Sequence, residues 1–133
     1  LKFGRTALLE PAVFDFPRLE TLIIEGTYGG KDNVLPSRKE CDNYFAKIIT
    51  DTINNKGRVL IPVLGVGRAQ EMFLIIENLV KTGALKKVPV YIDGMVWDIT
   101  AIHTAYPEFL NSTLRRQIFH KDENPFLLEM LIQ

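Results

Sequence analysis

Gly57-Arg58-Val59-Leu60-Ile61-Pro62-Val63-Leu64-Gly65-Val66-Gly67-Arg68-Ala69-Gln70 carries the pattern on which the fold turns. From Val59 to Gly65 the residues are almost wholly apolar, which predicts a strand buried on both faces. A helical pattern opens at Arg68 with no linker after the Gly65-x-Gly67 turn. Strand, glycine loop and helix make half of a βαβ unit. Such a unit presents backbone N–H groups and the positive end of a helix dipole at the strand's C-terminal edge, where an anion is favoured.

Working outward, Leu19 to Glu25 is a second β-branched apolar run, closed by Gly26-Thr27-Tyr28-Gly29-Gly30. Ser37-Arg38-Lys39-Glu40 has the spacing of a capping box. Behind it Cys41, Tyr44, Phe45, Ile48, Ile49, Thr52 and Ile53 recur at three-and-four spacing, one apolar helix face stopped by Asn54, Asn55 and Gly57. The helix opening at Arg68 runs to about Thr82, with Gly83 at its C-cap. Val88 to Asp93 predicts a third strand and Met95 to about Tyr106 a third helix, halted by Pro107. Ser112 to Phe119 predicts a short helix, and Asn124-Pro125 the start of another. Leu1 to Pro17 reads as a short strand or extended lead-in followed by a loop. Strands alternating with helices imply an α/β fold with a mostly parallel sheet and helices on both faces. In such a sheet ligands bind beyond the strands' C-terminal ends. Glu25 with Thr27 and Tyr28, the Gly65–Arg68 loop, and Asp93 are all expected at that edge.

Lys and Arg together number 16, as do Asp and Glu, so any nucleic-acid contact must come from a local patch and not from a global basic field. The one cysteine, Cys41, excludes an internal disulfide and makes a reducing, cytoplasmic location the default. No apolar run is long enough to span a membrane. The chain opens at Leu1 without a methionine and stops within an apolar pattern, so it is expected to be a piece of a longer protein.

Each candidate site has a plainer reading beside it. Glu25 is either a positioned carboxylate or a strand-end acid reaching water or a helix N-terminus. Gly65, Gly67 and Arg68 either cradle a phosphate or make a tight turn that packs helix onto sheet, with Arg68 paired to Glu71 or a neighbouring acid. A dinucleotide motif would want glycine where Gln70 stands, and a Walker motif would want Gly-Lys-Ser/Thr. Asp93 either binds a ribose hydroxyl or caps the following helix. His103 reads as a satisfied core or interface histidine, His120 as solvated, and Trp97 and Tyr106 as core or interface aromatics. Two histidines and one cysteine, far apart, do not supply a catalytic zinc site.

Four stretches together resemble the β-CASP nucleases of the metallo-β-lactamase superfamily, most of all the archaeal homologues of the cleavage and polyadenylation specificity factor endonuclease. They are Leu22-Ile23-Ile24-Glu25-Gly26-Thr27-Tyr28-Gly29, Arg58-Val59-Leu60-Ile61-Pro62-Val63, Val66-Gly67-Arg68-Ala69-Gln70-Glu71 and Asn124-Pro125-Phe126. Pro89 to Met95 and Ala101 to Pro107 share the likeness. The resemblance implies a Rossmann-like β-CASP cap, inserted into a metallo-β-lactamase domain that holds two zinc ions, with RNA in the cleft between them. It implies that Glu25 is the motif A acid, which orients a histidine near the leaving group. Thr27, Tyr28, Gly65, Gly67 and Arg68 would line the RNA side of the cap. Gly26 departs from the family's usual serine. The His-x-His-x-Asp-His metal motif and the later motif histidines are absent.

These readings assign residues 1–24 to a lead-in segment and strand belonging to, or leading out of, the metallo-β-lactamase domain. Residues 25–133 become a β-CASP domain truncated at its C-terminus. The expected function is a contribution to the RNA cleft of a metal-dependent RNA hydrolase, the fragment itself being inactive and holding no cofactor. The expected partners are RNA and the missing metallo-β-lactamase domain. Two alternatives stand beside this: a stand-alone nucleotide-binding module using the Gly65–Arg68 loop, and an interaction domain that forms a homodimer through bared apolar surface.

Overall fold

The computed structural model describes residues 4, 6–121 and 123–132. Its elements run α1 (Arg38–Asn54), α2 (Arg68–Lys81), β1 (Val90–Tyr91), α3 (Val96–Ala105), a 3-10 turn (Pro107–Phe109), α4 (Ser112–Lys121) and β2 (Leu131–Ile132).

The helices begin and end where local chemistry requires. Ser37 caps α1: its hydroxyl accepts from the Glu40 N–H at 3.3 Å, and the Glu40 carboxylate accepts from the Ser37 N–H at 2.8 Å. At the other end the Lys56 N–H donates to Ile53 O and the Gly57 N–H to Thr52 O. This is a Schellman ending in which Lys56, at φ 57°, takes the left-handed position that glycine usually fills. Gly57 is needed for space instead, because a Cβ there would come within 2.8 Å of Thr52 Cγ2. At the end of α2, Gly83 takes the left-handed position at φ 76°, one residue beyond the C-cap.

α2 is the central element. Phe73 and Leu74 join Leu8, Ile92, Leu110, Leu114 and Phe126 in one core cluster. Ile76 and Leu79 join Ala46, Ile49, Leu85 and Met130 in a second. α1 therefore packs on one side of α2, while α4 belongs to the other side, and Leu131 touches both clusters. The lead-in segment is tied to α4. Asn111 Nδ2 donates to Ala7 O at 2.8 Å, the Asn111 N–H donates to Leu8 O at 3.0 Å, and the Glu10 carboxylate accepts from the Ser112 N–H at 2.6 Å.

β1 and β2 pair in parallel, Val90 opposite Leu131 and Tyr91 opposite Ile132, the strand direction that alternating elements imply. The fold is α/β, with helices and a small parallel sheet. The extent of the sheet differs from expectation. Among the described residues Leu19–Glu25 and Val59–Leu64 join no ladder, and Ile23 and Leu60 are 92% and 91% exposed. A strand buried on both faces needs hydrogen-bonding neighbours and a covering layer on each side, and neither stretch has them here. The helix expected after Asn124-Pro125 is also absent. Asn124 Oδ1 accepts from the Phe126 N–H at 3.0 Å, an Asx turn, and the chain goes on into β2. The short strand expected near the start falls partly on residues outside the described set.

Candidate functional site

The loop from Gly65 to Arg68 is organised by a side chain that the sequence motif does not advertise. Gln70, two residues into α2, is fully buried. Its Oε1 accepts from the Gly67 N–H at 2.7 Å, and its Nε2 donates to Gly65 O at 3.2 Å and to Thr100 Oγ1 at 3.0 Å. One amide thus closes the turn at both ends and fastens it to α3. This is half of a capping box, the half that glycine at the N-cap leaves available. The Arg68 N–H donates to Val66 O at 2.9 Å and the Ala69 N–H to Leu64 O at 3.3 Å. Three N–H groups that would cradle a phosphate are therefore engaged within the chain, and the group an anion meets at this loop is the Arg68 guanidinium.

That guanidinium is half-exposed and held from below. Glu71, only 9% exposed at its side chain, receives Arg68 Nη1 on Oε2 at 3.0 Å and Arg38 Nη1 on Oε1 at 3.3 Å. Arg38 Nε also bonds Asp42 at 3.0 Å. The first residues of α1 and α2 are joined in this way through one largely buried carboxylate. They stand at the mouth of a groove of about 570 Å³ that runs between the two helices and residues 61–64, with Phe45, Ile61, Met72 and Ile75 among its apolar walls. A buried carboxylate with two guanidinium partners is the arrangement in which an ion pair holds its geometry, because neither charge is left unpaired.

Glu25 lies on an exposed turn. Its Oε2 accepts from the Thr27 N–H at 3.0 Å, and the Gly29 N–H donates to Gly26 O at 3.0 Å, so Thr27 and Tyr28 form the corner. Tyr28 is exposed, with its ring free of the core. Glu25, Thr27 and Tyr28 are not among the groove's lining residues.

The remaining candidates are resolved by their contacts. Asp93 Oδ1 accepts from the neighbouring Gly94 N–H at 2.7 Å, and the N-cap of α3 is Met95 with no side-chain bond, so the expected capping role is not filled. A carboxylate two residues ahead of the N-cap cannot reach the N2 and N3 amides while it bonds its own neighbour. His103 Nδ1 bonds Ile99 O at 2.8 Å, and its ring meets Phe126 edge-on at 6.0 Å, the satisfied histidine expected. Trp97 packs against the first core cluster, whereas Tyr106 is 55% exposed. His120 is exposed in the last turn of α4, in keeping with its solvated reading. Among the described residues no group of three or more His, Cys, Asp or Glu side chains converges, so they do not fit a metal ion.

Gln70 and Arg38 are the residues that sequence reasoning missed. The signal for Gln70 was a polar residue on the helix face that also carries Phe73, at the N3 position behind a glycine N-cap. For Arg38 it was only its place at the start of a helix.

A Beta-Casp domain profile matches residues 69–132. The chain is 55% identical over 130 residues to the transcription termination factor FttA of Methanococcus maripaludis, covering 98% of this chain and 20% of that protein. It is 54% identical over 130 residues to the protein of the same name from Methanocaldococcus jannaschii, with the same coverage. Against that from Pyrococcus horikoshii it is 50% identical over 129 residues, 97% of this chain and 20% of that protein. The chain thus spans about a fifth of the length of these curated relatives. With the α/β architecture, the matched domain and identities at this level, the chain belongs to the β-CASP family.

Proposed function

We propose that this chain is the cap region of a zinc-dependent RNA nuclease and forms one wall of its RNA cleft. Residues 25–133 belong to the cap, and residues 1–24 lead into it from the metallo-β-lactamase domain of the same parent. By analogy with relatives named for transcription termination, the RNA is a nascent transcript. Zinc ions held by the parent outside this chain would supply the hydrolytic chemistry. Glu25 orients a histidine of the parent near the leaving oxygen. Arg68, with Arg38 beside it through Glu71, meets phosphates of the strand, and Tyr28 offers a ring for a base to stack on.

The observation that carries this reading is the exposure of apolar side chains on the two strand-like stretches, Leu22 and Ile23 on one and Leu60 on the other. Runs of exposed apolar side chains on a strand-like stretch mark a surface that another body covers. In the relatives, four-fifths of the length lies outside the matched region.

The test has two arms. Glu25→Gln in the full-length parent is expected to lower the rate of RNA cleavage by roughly 10²–10⁴-fold, with RNA affinity retained. The 133-residue chain alone is expected to bind single-stranded RNA weakly and not to cut it. Wild-type cleavage by the Gln variant, or robust zinc-dependent cleavage by the isolated chain, refutes the reading.

A further inference from the structure

We propose that Gln70 is a positioning residue: it locks the Gly65–Gly67 turn onto α3 and so sets where Arg68 presents its guanidinium to the RNA backbone. The inference rests on the reading of Arg68 as a phosphate contact and adds the device that aims it.

Four facts meet at one side chain. Gln70 is wholly buried, and its amide is satisfied at both ends by groups of the turn, the Gly67 N–H and Gly65 O. The same Nε2 reaches across to Thr100 Oγ1 on α3, and Thr100 in turn donates to Val96 O at 2.6 Å. Gly67 holds φ 77°, a backbone state with little intrinsic preference that needs outside bonds to stay in place. Arg68 follows immediately, and its guanidinium is received by Glu71, the residue next to Gln70. Backbone position and side-chain direction of Arg68 are therefore each fixed by one of two adjacent residues of α2.

A buried glutamine is not needed for packing alone. An apolar side chain of similar length would fill the space, but it would leave the Gly67 N–H and Gly65 O without their partner. The turn would then be free to sample other states, and Arg68 would meet a phosphate only in a fraction of them. An entropic loss of this kind lowers affinity without removing any charge from the surface.

The experiment measures binding of a fluorescein-labelled oligouridylate to the full-length parent at several salt concentrations, for Gln70→Leu, Thr100→Val, Arg68→Ala and the Gln70→Leu/Arg68→Ala double variant. Arg68→Ala is expected to weaken binding roughly tenfold and to reduce the slope of log K against log salt by about 0.7, the share of one phosphate contact on a single strand. Gln70→Leu is expected to reproduce most of both changes with the arginine still present. It should add little in the double variant, since residues acting through one another are not additive. Thr100→Val keeps the side-chain volume and removes one anchor, so it should show a smaller loss in the same direction even if Gln70→Leu folds poorly. Wild-type affinity and slope in folded Gln70→Leu and Thr100→Val, with Arg68→Ala weakened, would overturn the positioning role and leave the phosphate contact standing. Full additivity in the double variant would also overturn it. An Arg68→Ala protein indistinguishable from wild type would remove the contact itself.

Discussion

The Thr104 hydroxyl in α3 is buried with no hydrogen-bond partner among the described residues. Burying a hydroxyl without compensation costs about 1–3 kcal/mol on protein scales. Thr104→Val keeps the shape and removes the polar atom, and valine and threonine have similar helix propensity. The variant is expected to be more stable by about 0.5–1 kcal/mol, seen as a melting temperature higher by about 2–5 °C. A lower melting temperature would mean that the hydroxyl has found a partner. The neighbouring His103 shows the opposite case, its ring nitrogen satisfied by the preceding turn. At this scale sequence reading works where a residue type has one usual environment. It predicted the Arg68–Glu71 pair as the plainer reading, and that pair is present. It passed over Gln70 because glutamine is most often a solvated residue, and the partners that make it buried here lie on α3, thirty residues away at Thr100.

Among the elements, α1 depends most on local chemistry. Its capping box holds the Glu40 carboxyl below the usual range, first through the Ser37 hydroxyl and then through the Ser37 N–H. Because the folded value is depressed, the stabilisation is complete above the ordinary value of 4.5 and is lost as pH falls through the lower folded value. Ser37→Ala is expected to cost about 1 kcal/mol at neutral pH. It should also flatten the pH dependence of the melting temperature in the acid range below about 4.5, which thermal melts across that range will show. A variant whose acid sensitivity matches wild type would assign that sensitivity to another carboxylate. α1 and α2 were legible because caps and three-and-four periodicity are written within a few residues of each other. Val59–Leu64 was not, because a ladder is a property of two segments, and an apolar run states only that a partner is wanted. Asn124-Pro125 was misread for a different reason. Asparagine ahead of proline opens a helix or an Asx turn equally well, and the residues downstream make the choice. Here Phe126 drops into the core and leads on to β2.

For the molecule as a whole, the apolar groups are divided between two well-packed clusters around α2 and a surface of strand-like segments left in solvent. The first division accounts for the folded scaffold. The second explains why the family likeness and the extent of the sheet carry different weight: the likeness lies in residues, and the sheet in pairings that most of those residues do not make here. The groove between α1 and α2 follows from the same division, since residues 61–64 border it while Leu60 looks outward.

Residues 59–64 have one further consequence, and it concerns colloidal behaviour. Val59-Leu60-Ile61-Pro62-Val63-Leu64 is uncharged and rich in branched aliphatics, the composition of segments that stack into cross-β fibrils, and Pro62 is the one residue in it that cannot donate to such a stack. Pro62, which is exposed, therefore acts as a gatekeeper for the isolated chain. Pro62→Val should shorten the lag before thioflavin fluorescence rises in a quiescent solution of the isolated chain, while the secondary structure at the start is unchanged. An equal or longer lag would place the aggregation-competent segment elsewhere, with Leu22-Ile23-Ile24 the next in line.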